Sequence, residues 1–487
     1  MPLALNVIPV NWLVPGAYVG VDGSGAVQGT PPQRKPVLLI GLRRTAGTIP
    51  AATLQGITGP NQGGTFFGRG SQLAAMCNTF VTANPYVELY ALALDEEGAG
   101  VKATATVTVV GTATADGTLS FVWAGRKISA GVLTGDTPTV IAASIAAAVT
   151  ADLDNQTTAA SALGVVTATA RHKGAYGNDL SIFHNYYVGE TTPAGITSVT
   201  ITAFTSGATN PDITDAIAAL GGDAQYYTVV PGWTDDANMD ALEAEMADRW
   251  GPIKAIPGHI IAAFRGDYAA SQTYGNARNS QFSTVLATGK SPTAPWQWAA
   301  SLAANEVAEN DPARPRQNTK ILGVLAPLEI DKFTIIERQL LLLDGMATYK
   351  IVVGDSYTER LVTTYQVNAS NDEDPSYKDI EIMRCLAYFR YGFTSRILRK
   401  YPNAKLGNDG EAFAPGQIVM TPSLMRGECL AFFDELNFLA IVEDRKQFKA
   451  QLIVERDLNN PNQLNVFLPP NFVNQFRITT ALLAFKI

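Results

Sequence analysis

The sequence predicts a multidomain α+β protein: an α/β core domain with a mostly β insertion, a C-terminal α/β domain, and extended arms at both ends. Three observations predict this. Buried-type strands alternate with amphipathic helices on both sides of a long gap. Inside the gap the composition shifts to Thr, Ala and Gly with few charges. Both ends of the chain carry apolar, extended-type segments without an evident partner sheet nearby. At 487 residues the chain is too long for a single core, so two to four compact units are expected.

The first 30 residues hold no helical pattern, and Pro9 and Pro15 exclude a central strand. Val7, Ile8, Val10, Val19 and Val21, with Trp12 and Leu13, make this arm too apolar for a free tail. A segment of that kind wants another surface to lie on.

The α/β core is expected over residues 31–98 and 206–345. "VLLIGL" (37–42) reads as a buried strand, followed by a helix starting near Ser71 and the strand "YVELYALAL". The rhythm resumes at "QYYTVVPGW", then a helix over 236–250 with Met239, Leu242, Met246 and Trp250 on one side, then "HIIAAFRG". A helix over 332–343 places Phe333, Ile336, Leu340 and Leu343 on one apolar stripe. Between the two halves, residues 99–205 read as a small β module with a turn at Asp116-Gly117 and a helix N-capped by Thr137, with Pro138 in its first position.

The C-terminal domain is expected over 346–487. It holds an acidic loop, "NDEDP", a long helix over 377–401 with Ile382, Cys385, Leu386, Phe389, Phe393 and Ile397 on one stripe, and a helix near 424–439. In "KAQLIVERDLNNPNQLNVFLPP" (449–470), Leu452 and Val454 are set against Gln451 and Glu455, Leu464, Val466 and Leu468 against Gln463 and Asn465, and "NNPN" supplies a hairpin turn. A lone hairpin is marginal in water and needs further strands. The closing run "QFRITTALLAFKI", with Phe476, Ile478, Leu482 and Phe485, grows more apolar toward its end, which is unusual for a free terminus. Either these strands close a local sheet, or they complete sheets of neighbouring molecules by strand addition.

Residue chemistry argues against an enzyme. His172, His184 and His259 sit in no metal-ligand spacing, there is no CxxC pair, and neither a nucleophile elbow nor a Walker A loop occurs. "NQGGTFFGRGSQ" before the helix at Ser71 could hold an anion at a helix N-terminus, but it lacks the P-loop lysine and the GxGxxG spacing. Cys77, Cys385 and Cys429 fall on apolar helix faces and read as reduced, buried thiols. Apolar content of 46% with 16% charged residues fits a globular chain, and a net charge of −8 argues against general nucleic-acid binding. No apolar run reaches bilayer-spanning length and no signal segment is evident, so folding in a cytoplasm without membrane insertion is expected. No cofactor or metal is expected. One electrostatic feature stands out: residues 378–405 carry seven basic residues against Asp379 and Glu381. Lys378, Arg396, Arg399 and Lys400 project to one side at helical spacing, forming either a solvated face or a docking face for an acidic partner.

The stretch "ERLVTTYQVNASNDEDPSYKDIEIMRCLAYFRYGFTSRILRKYPNAKLGNDG" (359–410) resembles the C-terminal domain of the Mu-like contractile tail sheath proteins. "ARHKGAYGNDLSI" and "GTATADGTLSFVWAGRKISAGV" resemble that family's insertion, in the same order along the chain. The resemblance implies a structural subunit of stacked hexameric rings wound helically around a tail tube, in a virion tail assembled in the host cytoplasm. It also implies partnership with the tube, baseplate and tail terminator proteins. Such a sheath contracts to drive the tube through the host envelope. Strand exchange would then involve the N-terminal arm, the hairpin residues Leu452, Val454, Leu464, Val466 and Leu468, and a terminal strand over about 474–487. Lys378, Arg396, Arg399 and Lys400 would face the tube. A tailocin or type VI-like secretion sheath implies the same mechanics. An α/β hydrolase or nucleotide-binding enzyme, or an adhesin binding sugars through the insertion, is the competing class.

Overall fold

In the computed structural model, which describes residues 13–19, 31–414 and 416–486, the chain divides into two compact units. One comprises 34–387 with 472–487, the other 1–33 with 388–471.

The larger unit is built on an eight-stranded sheet. Its spatial order is Asp355–Arg360, Met346–Val352, Ser283–Ala287, Ile260–Phe264, Thr228–Pro231, Val37–Leu42, Leu89–Leu94, Leu54–Ile57. The six inner strands are parallel, and one antiparallel strand lies at each edge. VLLIGL, TVVP and STVLA are buried at every position, the continuous apolar run that a parallel strand covered on both faces requires. The helix Gln72–Ala83 buries Leu73, Met76, Cys77 and Phe80, and Pro295–Ala308 buries both Trp296 and Trp298. The helix Asp236–Trp250 starts where expected because Asp235 accepts the N–H of Asn238, and it buries Met239, Leu242 and Met246.

The sequence reading opens a new domain at residue 346, but Met346–Val352 and Asp355–Arg360 extend the core sheet. The helix Ile335–Leu343 leads into the first of these strands through Asp344 and Gly345, whose φ of 72° turns the chain back at once. Two residues leave no room for a linker. The same helix departs from its expected facing. Thr334 forms a capping box with Glu337 that sets the helix start. In the resulting phase Leu341 is buried, while Ile336 is 69% and Leu343 49% exposed. Of the stripe expected to face inward, Phe333 packs against the core, while Ile336, Leu340 and Leu343 face outward.

Residues 102–201 form two further sheets. Ser198–Ile201, Lys102–Val110, Val165–Lys173 and Thr157–Ala162 make one; Arg126–Val132, Gly117–Trp123 and Ile182–His184 make the other. The helix Pro138–Ala151 buries Ile141, Ile145 and Val149, and Thr137 stands at its N-cap without a side-chain cap bond. Asp116-Gly117 is not the hairpin turn. Lys102–Val110 pairs with Val165–Lys173, and Gly117–Trp123 pairs with Arg126–Val132. The two-residue loop is Ala124-Gly125, with φ of 50° and 77°, the doubly left-handed geometry that matches strand twist. Asp116 instead accepts the N–H of Thr134 at 2.6 Å.

The smaller unit packs aromatic rings. Phe389 and Phe393, from the later part of the helix Ile380–Lys400, contact Phe432 of the helix Pro422–Phe438. Phe433 stacks on Phe448 of the helix Arg445–Gln451 at 4.3 Å between ring centres.

Candidate assembly surfaces

In an open parallel sheet a ligand lies beyond the C-terminal strand ends, where the strand order reverses. Here that place falls between Val37–Leu42 and Thr228–Pro231, and a buried side chain fills it. Gln72 accepts the N–H of Leu42 at 3.1 Å and donates to the carbonyl of Gly232 at 2.6 Å. A Cβ added at Gly232 would meet the Gln72 amide at 2.8 Å, so the backbone there is reserved for this contact. Ser71 caps the same helix by accepting from Ala74, which uses an N–H that an anion at the glycine-rich loop would need. Among the described residues no cluster of His, Cys, Asp and Glu could hold a metal ion. All three cysteines are buried, and burial pushes Cys429 up to about 11 and Cys385 to about 12. Nor is any helix among the described residues long and apolar enough to cross a membrane.

The hairpin is present but shorter than its sequence pattern. Ile453–Arg456 pairs with Leu464–Phe467, and Val454 faces Val466. Leu452 is not in the strand: it closes the helix Arg445–Gln451 and is buried, held by a bond from Arg426 to its carbonyl. Helix formation through Gln451 follows from Asp444, whose side chain accepts from Gln447. Leu468 is half-buried just beyond the second strand. Ile453 lies opposite Phe467, and both are more than half exposed. The hairpin is a two-stranded sheet with no third strand among the described residues, so each strand keeps an unpaired edge.

The C-terminal tail is apolar and uncovered. Residues 473–486 form no strand, and Phe476, Ile478, Leu482 and Phe485 are 77%, 80%, 96% and 78% exposed. Of the N-terminal arm, Val19 is exposed, whereas Val7, Ile8, Val10 and Val21 lie outside the described residues.

The basic helix separates into distinct roles. Arg384 is buried against Glu306, and Arg316 approaches the same carboxylate at 3.7 Å. Burial pushes the Glu306 pKa up, but the Arg384 and Arg316 charges outweigh that and leave it below the ordinary carboxylate range. Arg396 does not project outward with its neighbours. Its side chain is 8% exposed and bonds Glu428 and Glu435 of the facing helix. Helical spacing groups it with Arg399 and Lys400, but a helical wheel does not show where the partner helix lies. Lys400 pairs with Glu428 at 3.0 Å from an exposed position, and Arg399 is exposed. Lys378 is half-buried in the larger unit, and burial lowers its pKa.

Residues 206–358 match the family model described as phage tail sheath protein central domain, and 372–486 match the phage tail sheath C-terminal domain. The chain is 40% identical over 481 residues to the Mu-like prophage FluMu tail sheath protein of Haemophilus influenzae, covering 98% of each chain. Among solved structures it is similar to a sheath tail protein from Listeria innocua (13% identity, TM-score 0.49, 91% of this chain and 93% of that one). A sheath tail protein from Desulfitobacterium hafniense gives 15% identity and a TM-score of 0.47, over 91% and 94%.

Proposed function

Because this chain belongs to the phage tail sheath protein family, we propose that it is the repeating subunit of a contractile sheath, a structural protein rather than an enzyme. Subunits polymerise as stacked hexameric rings around the tail tube and are linked by lent strands. The observation that carries this reading is the pairing of unmet needs on one chain. The tail from Ile478 onward forms no strand, is rich in apolar residues and is exposed, while the hairpin 453–467 has unpaired edges. A tail from one copy added to the hairpin of the next satisfies both. Head-to-tail contact of this kind does not close on itself and so generates a helical polymer.

Magnitudes favour many weak links over one strong one. Burying Ile478, Leu482, Leu483 and Phe485 would contribute on the order of 10 kcal/mol. Ordering about ten tail residues costs a similar amount at about 1–2 kcal/mol each. Each strand link is therefore modest, and several per subunit hold the lattice together by effective concentration. Such a lattice tolerates sliding between two packings. That is what contraction without nucleotide hydrolysis demands, and the filled crevice at Gln72 agrees with it. The tube is met by exposed basic side chains at the end of the long helix, Arg399 and Lys400, with Lys378 as a further candidate. Baseplate and terminator proteins bound the polymer at its ends.

Deleting residues 474–487 tests the reading. The expected result is a folded subunit that forms no tubes in negative-stain microscopy under conditions where the full chain does. Normal tubes from the truncated chain would overturn it.

A further inference from the structure

We propose that Arg477 is the anchor that divides the tail into a part held by its own subunit and a part lent to the next, so that the lent strand begins at Ile478. This rests on the lent-strand reading above and adds where the strand starts and what fixes its root. Along the tail, Phe472, Val473, Gln475 and Arg477 are half-buried, and from Ile478 to Lys486 every residue is exposed. Arg477 is thus the last side chain turned inward. Its side chain is 12% exposed and meets two acids at the start of the helix Ile380–Lys400: Asp379 at 3.3 Å and the fully buried Glu381 at 3.0 Å. One residue earlier, Gln317 donates to the carbonyl of Phe476 at 3.3 Å.

The two acids are unequally provided for without Arg477. Asp379 keeps a two-pronged bond to Arg360, at 2.8 and 2.9 Å. Glu381 keeps the backbone N–H of Arg316 at 2.7 Å on one oxygen, while its other oxygen faces Arg477. A carboxylate removed from water needs nearby cations; Arg360 supplies a more distant charge, and the tail supplies the one in contact with the second oxygen. The clamp therefore has a purpose on both sides: it neutralises Glu381 and it fixes the tail root. A strand donor with a fixed root searches a smaller volume and loses less freedom on pairing than one loose from residue 472. Extended at about 3.3 Å per residue, the nine residues 478–486 reach about 30 Å from Arg477.

Trypsin reads the clamp directly in the unassembled full-length chain, since cleavage after Arg477 requires that side chain to leave its seat. The native protein should resist cutting at Arg477, and Glu381→Gln should raise that rate at least tenfold with the chain still folded by its melting curve. Arg477→Ala, which lacks the tryptic site, should gain chymotryptic cutting at Phe476 to a similar extent and assemble tubes at least tenfold more slowly. Rapid tryptic cutting at Arg477 in the native chain, or a rate unmoved by Glu381→Gln, would overturn the anchor. Truncation after Arg477 separates the two ideas. If that chain builds normal tubes, the lent-strand reading fails. If it builds none while Arg477→Ala assembles at the native rate, only the anchor fails.

Discussion

Arg384 Nη2 lies 2.7 Å from Glu306 Oε2, with neither side chain more than 3% exposed. The guanidinium also donates to the Tyr227 carbonyl and to Thr228 Oγ1, both at 2.8 Å, and sits over the Tyr227 ring at 3.9 Å. It thereby pins the start of the long helix to the start of the central strand Thr228–Pro231. Removing one partner of a buried ion pair strands the other, at a cost of about 3–5 kcal/mol. Glu306→Ala should be the worse of the two single changes, because it also deprives Arg316. Urea unfolding should show a Glu306→Leu/Arg384→Met double variant costing less than the sum of the two alanine substitutions.

Lys35 donates to the Glu309 carbonyl at 2.6 Å. Burial pulls its pKa down to about 8, Glu306 opposes the fall, and the Arg316 and Arg384 charges deepen it. An amine with a folded pKa below its unfolded value binds fewer protons when folded. Its contribution therefore makes stability rise as pH climbs from about 8 through the ordinary lysine range, and stay level below that. Melting temperatures of the native chain and Lys35→Met should diverge over this window, with the native chain gaining more. Equal gains would mean that the lysine is not perturbed.

Arg396 is held by Glu428 and Glu435, whose bonds keep its pKa raised against the effect of burial. Arg396→Ala should lower stability by about 2–3 kcal/mol, because two carboxylates lose their shared cation. Lys400→Glu, at an exposed ion pair, should change it by less than about 1 kcal/mol. A docking defect on tubes is interpretable for Lys400→Glu and not for Arg396→Glu, which is expected to act through folding. Thermal melts of the two purified variants check the order.

Ile453 and Phe467 face each other on the wet side of the hairpin. Ile453→Lys with Phe467→Glu places an opposite-charge pair there and should leave the subunit's stability within about 0.5 kcal/mol. If lent strands widen this sheet into an apolar face, polymerisation measured by sedimentation should fall sharply. Unchanged polymers would show that this face stays wet in the assembly.

The sequence by itself determined what depends on near neighbours. The spacing of Met239, Leu242 and Met246, with Asp235 ahead of them, is enough to specify a helix and its buried side, because cap and period act within a few residues. The continuous apolar runs at 37–42 and 228–231 specify covered strands for the same reason, and the closing run was legible as an apolar, extended-type segment. Tertiary structure alone decided which segments meet. Helical spacing grouped Arg396 with Arg399 and Lys400, but Glu428 and Glu435, 32 and 39 residues further on, turned Arg396 inward. Alternation put Leu452 in a strand, but the Asp444 cap carried the preceding helix far enough to claim it. Ile336 and Leu343 formed a plausible inner stripe until the capping box at Thr334 set the phase that buries Leu341. In each case the local pattern allows two faces or two partners of similar energy, and a contact distant in sequence selects between them.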